Sequence, residues 1–452
     1  MPTQIPFSLD EVPLQDERRL ELYQALTDYD NYYEVSQVLW KHSKELTNAQ
    51  ALKVQKPLQH LRYDREFGRR ISVLLHAIPR GLLEAIILGT VSRYFLSVPL
   101  STPDCYDSEG PGTYVAAMSI TGRGGCFTSV EENEKLIDAL RKYCMAYQGQ
   151  NLRQGAPPRS VADMQLDLFA RKVDRAIGSR PGSKKDQVRF IQSDKALKMV
   201  SLLIGSFERR CEPSRSQGAS RTTYHKQGPL MVGCSNQIDE RMPHHEPYSS
   251  SGLSQTTYTW ALTLCLIVSE LKLVPEVVVR PVIRTWENDD LCPSEILVSA
   301  LGASYVFQDG FNVVGAGSQK GDKPSSVLID AKEHVFLTKP WFQDNIDATR
   351  KELEKHKEYI DDALTCSDFP TADLRLALQA YSTNMWRTKA LANERDALYE
   401  KKLRRVEEKR EHLKQLQQRM EAKKHFSHIV SSLLGRPPHD LDKDAGTSSG
   451  DA

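Results

Sequence analysis

What the chain lacks narrows it first. Its eight cysteines, at positions 105, 126, 144, 211, 234, 265, 292 and 366, include no Cys-x-x-Cys pair, so no paired-cysteine zinc or thiol–disulfide motif is encoded. The N-terminus is polar and carries no secretory pattern, which points to a reducing intracellular compartment, nuclear or cytoplasmic. The most apolar stretch, Trp260 to Val268, is far shorter than a bilayer span and is flanked by Glu270 and Lys272, so no membrane crossing is expected. Net charge is nearly absent as well, since 60 Lys and Arg meet 59 Asp and Glu, and no global field draws the chain to a polyanion. Gly-x-x-x-x-Gly-Lys-Ser/Thr and His-Glu-x-x-His do not occur, which removes the P-loop and the zincin site.

What is present suits a multi-part globular protein. The 452 residues are 40% hydrophobic and 26% charged, enough for a sizeable core with polar ends. Residues 1–100 favour helix, with Leu20, Leu22, Tyr23 and Leu26 and later Leu82, Leu83, Ile86, Ile87 and Val91 at helical spacing. Gly112 to Ile120 alternates as a strand would, and Gly122 to Gly125 ends it. Helical patterns fill a segment of about 127–227, which is locally basic: sixteen Lys and Arg against seven Asp and Glu fall between Arg153 and Lys226. Such a segment is a polyanion-facing patch or a solvated insert, and both readings stand.

From Gly228 to Val314 the pattern is strand, short helix, helix, strand and helix, within a core taken as 101–338. The helices are placed at about Thr257 to Leu273 and Pro293 to Leu301 and the second strand at Val277 to Trp286, with Pro281 confining that strand to an edge or a bulge. Asp309-Gly310 is a competing hairpin signal, and Val327 to Val335 reads as one more strand. Residues 339–435 form a C-terminal helical region, and 436–452 a polar tail expected to be disordered. In that region Leu391, Leu398, Tyr399, Leu403, Val406, Leu413, Leu416 and Met420 fall within an arc of roughly 140° at helical periodicity. A strict heptad would put Arg395, Lys402, Lys409 and Lys423 at d, so a docked amphipathic helix is preferred to an autonomous parallel coiled coil. That helix, over 391–420, is the expected contact for a protein partner or a homo-oligomer.

One ordered set of residues carries chemistry. Leu230 to Val232 is an apolar strand ending at Gly233; Ser235 and Asn236 offer helix N-caps, and Arg241 follows within two turns. A guanidinium beside a helix start suits phosphate, and a carboxylate such as Glu295 suits Mg²⁺. Singly, each residue has an ordinary explanation: Tyr114 as strand core, Arg241 as a surface ion-pair partner, Glu295 as a first-turn carboxylate, Asn312 as a turn residue. A zinc site from His225, Cys234, His244 and His245 has the right ligand types at irregular spacing.

Taken in order, Gly112-Thr113-Tyr114, Met231-Val232-Gly233, Arg241, Glu295 and Asn312 resemble the GIY-YIG nuclease domain over about 110 residues. The resemblance implies an α+β fold with a small mixed core, a long insertion between its first two strands, and Mg²⁺-dependent cleavage of DNA phosphodiester bonds. It assigns Tyr114, Arg241 and Glu295 as catalytic, Glu295 as the metal ligand, and Asn312 and His245 as binding residues. Arg241 to His245 looks like the family's Arg-x-x-x-His run, interrupted by Pro243. Two departures matter. The first strand has an alternative at Arg221 to Tyr224, and Met231 replaces the second motif tyrosine with a thioether that cannot take a proton. A non-catalytic scaffold that binds a partner through its helical ends therefore stands beside the nuclease.

Overall fold

The computed structural model describes residues 14, 16–48, 65–97, 105–153, 157, 160–177, 188–216, 220–249, 253, 255–317, 319–365 and 371–433. The fold class is α+β, with one three-stranded antiparallel sheet among many helices. The chain divides into two compact units, residues 1–391 and 392–452. The expected tail at 436–452 lies outside the described residues, as does part of the N-terminal 100.

In the first unit, α1 (Glu17–Asp28), α2 (Tyr33–Asn48), α3 (Arg65–His76), α4 (Arg80–Leu88) and α5 (Val91–Ser97) precede β1 (Gly112–Ile120). The Asp16 side chain caps α1 by accepting from the Arg18 backbone N–H. Gly89 ends α4 in the left-handed region at φ 74°, where its N–H reaches the last carbonyls. β1 is buried at all nine positions.

After β1 the chain leaves the sheet for α6 (Val130–Arg153), α7 (Val161–Asp174) and α8 (Asp194–Ser216). These helices pack on one another, with Phe127 stacked on Phe207 and the Asn133 amide donating to the Phe207 carbonyl. The chain returns at Gly228, whose N–H bonds Gly89 O and whose missing Cβ leaves room for Met118 O. β2 (Leu230–Ser235) then pairs with one edge of β1, and β3 (Pro275–Arg284) with the other, in the order β2-β1-β3. The competing first strand, Arg221 to Tyr224, contributes only an isolated bridge from exposed Tyr224 to Ser129. It lacks the near-continuous run of apolar and small residues that lets Gly112 to Ile120 be buried on both faces.

Between β2 and β3 lie α9 (Ile238–Arg241), a 3₁₀ turn at Met242–His245, and α10 (Tyr258–Leu266), which continues into a π-turn at Ile267–Leu271. Gln237, not Ser235 or Asn236, is the N-cap of α9, because the Ser235 hydroxyl is used within the turn on Gln237 N and O. Pro281 sits on edge strand β3 where the register with β1 slips between Thr113 and Tyr114, so a missing N–H costs nothing there. α11 (Leu291–Leu301) packs across β1 and β2, pinned by a 2.6 Å hydrogen bond between the buried Ser294 and Thr113 hydroxyls.

Two local expectations change. The Asp309-Gly310 turn makes no antiparallel hairpin: Tyr305 and Asn312 form a parallel bridge instead. Val327 to Val335 is part of helix α12 (Ser325–Thr338), since its buried Ala331, Val335 and Phe336 recur at helical spacing and Pro324 supplies the start. Helix α13 (Pro340–Thr365) follows, and α14 (Thr371–Leu433) carries the chain into the second unit. No single helix among the described residues is long and apolar enough to cross a membrane.

Asp309 ties three distant segments together. Its carboxylate meets Arg19 of α1 at 3.1 Å and Arg210 of α8 at 2.6 Å, both guanidinium groups being almost fully buried. Arg19 also donates to Ile87 O, and Arg210 to Gln227 O and Asp309 O. Asp309→Ala should therefore lower the unfolding free energy on the order of 3 kcal/mol, the low end for stranding a buried ion-pair partner because this carboxylate is a quarter exposed. Urea denaturation against wild type measures it.

Candidate functional site

β1 and β2 pair with Tyr114 directly opposite Gly233. A Cβ on Gly233 would lie 2.4 Å from the Tyr114 hydroxyl, so the glycine clears the path that the phenol takes across β2. Gly112 is required for a related reason: a Cβ there would lie 2.2 Å from Ile283 O on β3. These two glycines let the backbones and one aromatic ring approach as closely as they do.

Beyond Gly233 the phenol meets His245. Tyr114 Oη lies 2.7 Å from His245 Nε2, and both side chains are only 2% exposed. His245 Nδ1 is 3.0 Å from Thr256 Oγ1, so an imidazole protonated at Nδ1 donates to the threonine and accepts from the phenol. That network assigns the neutral tautomer. Burial, with Arg241 and His244 beside it, lowers the His245 pKa from 6.5 to about 3. Burial also raises the Tyr114 pKa, with Arg241 opposing and Glu295 and Cys234 adding to the shift. The phenol is a protonated donor at neutral pH.

Arg241 ends α9, where Ile238 is buried and anchors the turn. Its guanidinium lies close enough to Tyr114 to oppose the rise in the phenol's pKa, and is steadied by the Gln255 side chain and, at 2.7 Å, the Gln255 carbonyl. Glu295 approaches from the second turn of α11, not the first, because the helix begins at Leu291. Its Oε2 accepts from Gly317 N–H at 2.6 Å and from the Cys234 thiol at 3.3 Å. Burial raises the Glu295 pKa, while Gly317, Cys234 and Arg241 pull it back. Burial and the Glu295 charge together push the Cys234 thiol well up, so it stays a donor.

Asn312 acts on backbone. Its Oδ1 accepts from Val232 N–H at 2.9 Å and its Nδ2 donates to Val232 O at 2.7 Å, so a side-chain amide completes the outer edge of β2 beside the site. Met231 is buried and its sulfur accepts from the Thr256 and Thr257 hydroxyls, which makes it a packing and anchoring residue.

The structure thus brings Tyr114, Arg241, His245 and Glu295 into one polar cluster and sets Asn312 beneath it. Sequence reasoning missed Cys234 and Gly317, which hold the carboxylate, and Thr256, which fixes the imidazole. Cys234 had a signal, since strand alternation in β2 puts it on the face that α11 covers. Gly317 and Thr256 had none in local pattern. Among the described residues, no three or more His, Cys, Asp or Glu gather as a metal cage, and the zinc set named from sequence does not assemble. The remaining donor chemistry fits a hard cation needing one carboxylate: Glu295 is partly desolvated, its pKa is raised, and a cation would relieve that cost.

The class of protein defined by this fold is an α+β protein with an antiparallel β2-β1-β3 sheet and a tyrosine, histidine, arginine and glutamate cluster at one end of it. No family model, curated protein or solved structure matches the chain.

The buried neutral imidazole gives a signed pH dependence. The unfolded chain protonates His245 below about 6.5 while the folded chain resists until about 3, so this contribution is full above 6.5 and is lost as pH falls. Between about pH 6 and 4 the unfolding free energy of wild type should fall more steeply than that of His245→Gln, by about 1.4 kcal/mol per pH unit. Equal slopes would mean that His245 is accessible to protons in the folded state.

Proposed function

We propose that residues 112–317 form a divergent GIY-YIG-like module that hydrolyses DNA phosphodiester bonds slowly. The observation that supports this most is the convergence of Tyr114, Arg241, His245 and Glu295 at the β1–β2 pair, although more than a hundred residues separate those strands. Four residue types that each have an ordinary explanation become a site when they share one cluster.

In this reading Arg241 binds the scissile phosphate and stabilises the charge that grows on it. Glu295 would hold Mg²⁺ with water molecules, which supplies Lewis-acid polarisation of the phosphoryl oxygen and a more acidic bound water. Tyr114 orients the attacking water through its oxygen and takes a proton only as it passes its own to His245 Nε2. That relay is weak, because a histidine whose pKa is lowered to about 3 is a poor proton acceptor. Met231 offers no alternative base.

The second reading is a non-catalytic scaffold that keeps this sheet and binds its partner elsewhere. The observation favouring it is Glu295 itself, whose Oε2 is already satisfied by Gly317 N–H and the Cys234 thiol. It predicts no cleavage and no metal dependence.

Incubation of the purified full chain with branched and single-stranded DNA separates the two. Under the enzyme reading Mg²⁺-dependent cleavage occurs, and Arg241→Ala or Glu295→Gln reduces it by more than about 10²-fold. Tyr114→Phe should cost roughly 10²–10⁴-fold if the relay operates. A folded wild type that leaves both substrates intact would sink the enzyme reading and leave the scaffold.

A further inference from the structure

The described residues of the second unit form the far part of α14 and carry an apolar stripe exposed along the helix. Tyr399, Leu403, Val406, Leu413 and Met420 are each at least half exposed, and Leu416 is 40% exposed. At 1.5 Å per residue the stripe runs about 32 Å. An isolated helix does not hold so many large apolar side chains in water for stability, so a row of them marks a contact surface.

The charges within and beside the stripe select its occupant. Between Glu400 and Lys424 the helix has ten Lys and Arg against five Glu. At 100° per residue Lys402, Lys409, Arg410 and Lys424 fall inside the apolar arc, and Arg405, Lys414 and Lys423 within about 20° of its border. All seven are exposed. A second copy of the helix is a poor occupant. Parallel pairing sets Lys402, Lys409 and Lys423 against their equivalents, and antiparallel pairing drives them against Val406 and Leu413. Both arrangements bring two helices of excess positive charge together.

Nucleic acid would satisfy the cations but leave the apolar row in water. An anionic bilayer would cover the row, but Glu421 lies at the edge of the same stripe and Glu407 beside it, against like charge. A helix with its own apolar seam can set carboxylates opposite Lys402, Lys409 and Arg410 and leave none opposite Glu421, which a uniformly anionic surface cannot do.

We propose that residues 399–423 are the docking face for an acidic amphipathic helix of another protein. Apolar contacts provide the affinity, and the interleaved cations set register and reject a second copy. This surface is independent of the cluster at Glu295.

The test uses the full chain and a fluorescent 28-residue synthetic peptide with leucines at a and e and glutamates at d and g, read by anisotropy. A scrambled peptide of the same composition is the control. Specific binding is expected, weakened at least tenfold by Leu413→Glu and by the pair Lys402→Glu with Lys409→Glu. The paired variant should recover binding to a peptide whose glutamates are replaced by lysine. These positions are exposed, and circular dichroism confirms that each variant retains its helix content. Equal binding of both peptides, self-association of the chain by light scattering, or sedimentation with phosphatidylserine vesicles without peptide binding would each overturn the proposal.

Discussion

Everything in the first unit depends on one strand that has no free edge. β1 is buried at all nine positions and hydrogen-bonded on both sides, yet its neighbours β2 and β3 lie far along the chain. A strand so placed cannot be satisfied locally: each of its backbone groups waits for a segment that must come back over a long loop. The loop is tolerable because it folds. α6, α7 and α8 pack on one another, so the chain returns at Gly228 from a structured excursion. Arg210 at the end of that excursion and Arg19 at the start of the chain both close on Asp309. The ion triad thus fixes the geometry of return, a role better attested for buried charges than net stabilisation.

The polar cluster follows from the same constraint. Because β1 is central, Tyr114 cannot reach solvent along its own strand and must cross a neighbour, and only Gly233 lets it do so. Once across, the phenol is satisfied by His245, and the imidazole by Thr256, so no group in that chain is left unpaired. Such a network is fully hydrogen-bonded, and its histidine takes up a proton only reluctantly. Low proton affinity at His245 and high proton affinity at Tyr114 have one cause, burial, acting oppositely on a cation-forming and an anion-forming group.

The sequence reveals elements whose signal is local and hides those whose signal is not. β1, β2, β3 and α11 are legible because alternation and helical spacing repeat within a few residues, and Pro281 is legible as an edge or bulge because its ring forbids a ladder bond. α12 is not, because Val327, Leu328 and Ile329 form a short β-branched and apolar run that periodicity alone cannot assign. Around Glu295, the motif residues stand out by type and order. Their partners do not: a backbone N–H at Gly317 carries no side-chain signature at all. Burial is equally opaque, since the pattern names a histidine but not that its imidazole is sealed from water.

Gly317 decides what the site can become. Its φ of 87° and the 2.5 Å that a Cβ would leave to Cys292 Sγ require glycine there, and its N–H holds Glu295 Oε2. Further along, Asn236 donates to Lys320 O and accepts from Asp322 N–H, and Asn288 exchanges the same pair of bonds with Lys323. The segment is therefore fastened by side chains at three points. A cation that took Glu295 Oε2 would displace the Gly317 N–H, so binding through that oxygen and loosening of this segment are thermodynamically linked, whereas binding through Oε1 leaves the fastening intact. Whatever binding energy is spent on moving the backbone is absent from the apparent affinity. A weak apparent affinity would then report the fastening of residues 317–323 as much as the quality of the ligand set.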